Sequence, residues 1–238
     1  MNLRFEELDW QRTPLGEFTL RRRRDVTVDR DVYEVKLGEE FLMSSLFTVA
    51  EVELARLALT VLDRPDLSVL VGGLGLGYTA QAALADPRVA EVTVIEAAEP
   101  VLDWHRRGLI PDTAGLATDP RCRLVQDDFF RRVEGEPETT YDAILLDIDH
   151  TPSHLLAAGH ADFYSAEGLT AMTRHLKQDG VFALWSDDPP DPAFQDVLSQ
   201  VLVDTSAERV RFDNPITGGQ SSNTVYLGRR TNSDLPSR

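Results

Sequence analysis

Apolar positions change their rhythm along this chain, and each change predicts a different kind of element. Over the first 45 residues they come in short runs, at 18–22, 26–28 and 32–37, parted by charged turn material. Such runs predict short strands. Thr48 followed by Glu51 is a capping-box pattern, and Val52, Leu54, Ala55, Leu57, Ala58, Val61 and Leu62 recur behind it at helical spacing. This predicts a helix to about Leu62, closed by Pro65.

From residue 68 onward, buried strands and helices alternate. Strands are predicted at 68–72, 91–96, 121–126, 141–147 and 180–185. Helices are predicted at 79–85, 99–107, 166–176 (closed by Asp179-Gly180) and 192–202. Two last strands, 207–212 and 223–227, are joined by a Gly-rich loop too short for a crossover helix and must pair antiparallel. The predicted fold class is α/β: a mostly parallel, doubly wound, Rossmann-like sheet with a terminal antiparallel hairpin, plus a small N-terminal β unit. The predicted division is an N-terminal unit over 1–45, a main domain over 46–228 and a flexible polar tail over 229–238.

The length of 238 residues suits one large domain with an appendage, and 42% hydrophobic content supplies a real core. Disordered, collagenous and disulfide-stapled classes are excluded. Cys122 is the single cysteine and cannot bridge internally, which favours a reducing compartment. The start MNLRFEELDW lacks the basic and apolar regions of a signal peptide, and no apolar run is long enough to span a bilayer. A soluble cytoplasmic protein is the expectation. A net charge of −16 disfavours nucleic-acid binding. The run Arg21-Arg22-Arg23-Arg24 is read as a solvated strand end interleaved with Asp25, Asp29 and Asp31.

In doubly wound sheets, ligands bind at the carboxyl ends of the strands, near the point where strand order reverses. The first such end is Gly72-Gly73-Leu74-Gly75-Leu76-Gly77. Glycines here let the backbone approach a ligand and turn into a helix N-terminus. A dinucleotide fingerprint needs glycine or alanine where Tyr78 stands, so Gly73, Gly75 and Gly77 match the looser pattern of S-adenosylmethionine enzymes instead. Glu96 ends the second strand 23 positions after Gly73, close to the separation of about 20 at which an acid meets a ribose diol. Asp127-Asp128 ends the third, where a carboxylate can accept from an adenine amino group. Glycine, Glu and Asp on three consecutive strand ends point to an adenosine-containing cofactor.

These residues resemble the spermidine synthase family, which adds a small N-terminal β domain to the S-adenosylmethionine-type fold. The resemblance runs from about Leu42 to Leu227. It is carried by the segments 69–73, 94–96, 141–147 (Tyr-Asp-Ala-Ile-Leu-Leu-Asp), 161–164 (Ala-Asp-Phe-Tyr), 176–181 and 214–220. It implies aminopropyl transfer from decarboxylated S-adenosylmethionine to putrescine or a related small amine. By the same resemblance Glu96 holds the ribose, Asp127 the adenine, and Asp147 stands beside the attacking amine; a homodimer formed through the β unit is also implied. The chain departs from the family at Gly75, where the family has an aspartate for the aminopropyl ammonium. It departs again at Asp147-Ile148-Asp149-His150, where the family has a second acid before proline, and within 42–53, where the family has a glutamine and a tyrosine.

Because a sulfonium is already an activated leaving group, the protein has to align the nucleophile and remove its proton. Asp147 is the expected base, Asp149 a second acidic contact, and His150 an alternative base near its working pKa. His150 and His154 chelate a metal only from a helix, and Pro152 stands between them, so no metal is assigned. The stretch 186–191 offers an acidic rim or, as the preferred reading, a helix start. Trp104, His105 and Trp185 are read as packing residues. Methyl transfer from S-adenosylmethionine to a small molecule is the alternative activity. A nucleoside-binding homologue without catalysis is the alternative of another class.

Overall fold

The computed structural model describes residues 5–148 and 150–231. Four strands come first: β1 (Phe5–Thr13), β2 (Gly16–Asp25), β3 (Arg30–Leu37) and β4 (Glu40–Ser44). They pair antiparallel in chain order. β1 carries no predicted apolar run because none of its residues is fully buried; its positions alternate only between exposed and half-buried. Charge pairing holds it in place, as Glu6 lies opposite Arg22 and takes its guanidinium at 2.5 Å. The other arginines of the run are also paired, Arg21 and Arg23 with Glu34 at 2.6 Å each and Arg24 with Asp29 at 2.7 Å. The strand expected at 26–28 is instead a turn. Asp25 Oδ1 accepts from the N–H groups of Thr27 and Val28, and Asp29 sits at φ 50°, so local side-chain bonding outcompetes a weak three-residue β signal.

Helix α1 (Val49–Thr60) follows, but the capping box does not form: Thr48 makes no side-chain cap bond. The rest of the chain builds β5 (Leu67–Gly72), α2 (Tyr78–Ala85), β6 (Val89–Glu96), α3 (Glu99–Arg106), β7 (Cys122–Gln126), α4 (Phe129–Glu134), β8 (Tyr141–Leu146), α5 (Ala166–Thr173), β9 (Leu176–Ser186), α6 (Pro192–Val201), β10 (Val203–Asn214) and β11 (Gly219–Arg229). The seven strands lie in the order β10-β11-β9-β8-β5-β6-β7. β5 to β9 are mutually parallel, and β11 is antiparallel to both of its neighbours. The doubly wound sheet and terminal hairpin are as predicted. Asp179-Gly180 does not close α5, which ends at Thr173; it lies within β9, with Asp179 at φ 58°. Arg229, expected to start the tail, instead belongs to β11, paired with Val203 and Val181; residues 232–238 lie outside the described residues.

Strand residues alternate between two cores. Val69, Val71, Leu145 and Ala183 pack with α1, α2 and α3, whereas Leu70, Ile144, Leu146 and Phe182 pack with α4, α5 and α6. Burial on both faces explains why these strands read as unbroken apolar runs. Phe18, Leu20 and Val35 of the first sheet join the α1 side of this core. The indole N–H of the fully buried Trp104 donates to Asp9 of β1 at 2.7 Å. The order places the chain reversal between β5 and β8, so the loops after these strands flank one crevice with the first sheet over it. Among the described residues no helix is long and apolar enough to cross a membrane.

Candidate active site

The crevice opens into a cavity of about 730 Å³. At its floor the chain leaves β5 through Gly72, passes Gly73 and Gly75 and enters α2 behind Gly77. Gly73 has φ 93°, and a Cβ there would lie 2.1 Å from the Asp147 carbonyl oxygen. Gly75 has φ 47°, and a Cβ there would lie 2.4 Å from the Met43 sulfur. The loop is therefore pressed between β8 and β4. The Leu76 N–H points at the same sulfur at 3.1 Å. His105 is buried beside this loop with Nε2 2.9 Å from the Gly75 carbonyl, and burial pushes its pKa down. Trp104 and His105 are packing residues, as expected.

Glu96 lines the cavity at the end of β6. Its Oε2 accepts from the Leu74 N–H at 3.0 Å and its Oε1 from the Ala98 N–H at 2.8 Å. These bonds fix the carboxylate, and each oxygen keeps a further lone pair for a ligand hydroxyl. Burial pushes its pKa up while the backbone N–H groups pull it down, and burial prevails. The two aspartates after β7 differ from the expectation. Asp127 turns to Arg132, which donates to it at 2.8 Å, and its other oxygen takes the Asp128 N–H; it is not among the residues lining the cavity. Asp128 does line it, and also caps α4 by accepting from the Arg131 N–H at 3.2 Å. The arginine one helical turn into α4 draws Asp127 away, and α4 was not visible as a helix in the sequence.

Asp147 follows β8, with its N–H donating to the Gly72 carbonyl at 2.8 Å. The Thr79 hydroxyl donates to its Oδ2 at 2.7 Å. Burial pushes the Asp147 carboxyl up, against the pull of Thr79. Glu51, on the first turn of α1, faces the same space, and burial together with the charges of Asp147 and Asp187 pushes its pKa up. Sequence reasoning missed Glu51 as a site residue because its spacing from Thr48 suited a cap. Its position at the start of a helix just before the glycine loop was the available signal. Thr79 was missed as well.

His150 lines the cavity with Nε2 3.2 Å from Glu40 Oε1, and its ring lies 5.0 Å from that of His154. Asp149 lies outside the described residues. His160 stacks on Phe130 with ring centroids 3.9 Å apart. Among the described residues no group of three or more His, Cys, Asp or Glu is placed to hold a metal ion. The stretch after β9 divides its roles. Asp191 caps α6 by accepting from the Ala193 N–H at 2.9 Å, whereas Asp187 lines the cavity and accepts from Asn223 Nδ2 at 2.7 Å. Trp185 also lines the cavity, with its buried indole N–H unpartnered among the described residues, so it is more than core packing.

The family model described as the spermine/spermidine synthase domain matches residues 51–207. A polyamine aminopropyltransferase of Bacillus mycoides is 29% identical over 122 residues, which cover 51% of this chain and 42% of the relative. One from Korarchaeum cryptofilum is 29% identical over 157 residues, covering 65% of this chain and 46% of the relative. The chain thus spans less than half the length of these curated relatives. Among solved structures, the spermidine synthase of Thermotoga maritima superposes with TM-score 0.73 at 18% identity, covering 94% of this chain and 72% of that one. A spermidine synthase in complex with the transition-state analogue AdoDATO gives 0.72 at the same identity and coverage. The fold is shared with these structures.

Proposed function

Because this chain belongs to the spermine/spermidine synthase domain family, we propose that it is an aminopropyltransferase using decarboxylated S-adenosylmethionine and a small amine. The observation that carries this reading is a buried carboxylate, Asp147, oriented by Thr79 at the mouth of β8, in one cavity with Glu96. The chain's residues fit an adenosine-bearing donor: Glu96 is anchored through both oxygens beside a floor that has no room for side chains at Gly73 and Gly75. When bound, the donor supplies an aminopropyl carbon on a sulfonium, which leaves as a neutral thioether as the amine nitrogen bonds to that carbon.

Glu96 takes the ribose hydroxyls on its free lone pairs. Gly72, Gly73, Gly75 and Gly77 shape the floor against which the donor lies, and Asp128, at the wall where the family places Asp127, reaches the base. Asp147 accepts the proton that the nitrogen releases, through the oxygen that Thr79 leaves free. His150 lines the acceptor's path, and Asp149, the second acidic contact expected from the sequence, lies outside the described residues. The N-terminal unit of 1–45, whose first sheet roofs the crevice, precedes a catalytic domain over 46–228, and the chain works in the cytoplasm as a homodimer paired through that sheet. A monomer in light scattering would refute that pairing.

Calorimetric titration with decarboxylated S-adenosylmethionine, S-adenosylmethionine and methylthioadenosine tests the donor. Preference for the decarboxylated form is expected. Tighter binding of the carboxylated form would transfer the reading to methyl transfer, which Gly75, covered by Met43 where the family has an aspartate, leaves as the competing chemistry.

A further inference from the structure

Among the described residues, the cavity has charge on its floor and almost none on its far wall. Glu96 and Asp128 belong to the donor side, and the remaining lining carboxylates, Glu51, Asp147 and Asp187, gather where β8 and β9 end. Beyond them the wall is made by Leu37, Phe41, Phe47, Ile148, Trp185 and Phe212. These come from the first sheet, the approach to α1, the loop after β8, the end of β9 and the edge strand β10. The rings of Phe47 and Phe212 lie 5.8 Å apart, so the roof and the edge strand meet through aromatic surface. The polar groups that β10 and β11 supply to this side are uncharged: Asn214, whose amide donates to Ser221 at 2.9 Å, Ser222, and Asn223, already spent on Asp187. Glu40, next to Phe41, turns to His150 and is half exposed.

An ammonium taken out of water needs a counter-charge, and one left against apolar wall loses more than it gains. The acids where β8 and β9 end receive the reacting amine. A second, carried on a methylene chain past them, would face rings and neutral amides. A hydrocarbon body in the same place gains by burial. The geometry points to an acceptor that is a primary monoamine with an aromatic or alkyl body, not a diamine. This inference rests on the aminopropyl-transfer reading and names its acceptor class.

The test uses the full chain with decarboxylated S-adenosylmethionine and four acceptors, phenethylamine, hexylamine, putrescine and cadaverine. N-aminopropylated product is followed by mass spectrometry. Each amine is also titrated calorimetrically into the protein saturated with methylthioadenosine. Phenethylamine is expected to exceed putrescine at least about ten-fold in kcat/KM and in affinity, the scale set by burying one ring. Phe41→Asp, at a position 47% exposed and therefore able to carry a charge without unfolding the chain, is expected to narrow that ratio; Phe212→Asp serves as the second variant. Transfer that favours putrescine overturns the inference and leaves aminopropyl transfer standing. Tight binding of phenethylamine without transfer to any amine supports the pocket chemistry and overturns the transfer reading. Failure of all four amines to bind or react overturns the inference.

Discussion

The side of the crevice proposed for the donor takes Gly73, Gly75, Glu96 and Asp128 from the ends of three strands of one sheet, and backbone N–H groups fix its key carboxylate. The side proposed for the acceptor takes Glu51 from α1, Asp147 from behind β8, Asp187 from behind β9 and its rings from separate segments. Side chains on the donor side are pinned by backbone N–H groups of the loops and helix that follow their strands. On the acceptor side they are pinned by one another, as with Thr79 on Asp147 and Asn223 on Asp187. A family can therefore keep the first side while the second changes its substrate, because replacing one acceptor-side segment leaves the strand ends intact.

The contrast is broken most strongly at Asp147. Asp147→Asn is expected to lower kcat/KM by about 10² to 10⁴, the range for a positioned proton acceptor, with donor affinity nearly unchanged in calorimetry. Full activity in the variant would remove Asp147 from the chemistry. On the donor side, Glu96→Gln should weaken donor binding by about 10- to 100-fold, the worth of a hydrogen bond to a charged group, without altering amine affinity. An equal loss for both ligands would mean that the two sides are not separable.

Smaller effects sharpen the comparison. The Thr79 hydroxyl bonds the charged form of Asp147 and pulls down a pKa that burial pushes up. Thr79→Val removes that pull, so the acid limb of the pH–kcat/KM profile should move about one unit toward higher pH. An unmoved limb would show that another group governs it. Glu51 is also pushed up, by burial and by its acidic neighbours. A carboxyl raised above its unfolded value stabilises the fold below that unfolded value, and this contribution is lost as pH rises through the folded one. Glu51→Gln should therefore melt at higher temperature than the parent at pH 9, by a few degrees, with the gap closing toward pH 4. A gap that widened on acidification would reverse the assignment.

Strands buried on both faces, such as β5 and β8, announced themselves as apolar runs, and their order followed from alternation with helices. β1 did not, because a strand whose residues are all at least partly exposed has no apolar period and is held by partners such as Arg22. Glu96, the last residue of β6, and Asp147, directly after β8, were legible because a strand fixes where its own end lies. Glu51 and Trp185 were legible only as a cap and a core residue, since their roles depend on segments far away in the chain.

The sequence by itself determined the sheet, the glycine floor, the acids at the strand ends and the resemblance that joins them, because each depends on local pattern and on where strands end. Only the tertiary structure decided that Asp128 rather than Asp127 faces the cavity, that Met43 covers Gly75, and that rings from distant segments close the acceptor wall. Those outcomes are set by packing between segments that share no periodicity. Such contacts form only once the first sheet, α1 and β10 have been brought against the same crevice.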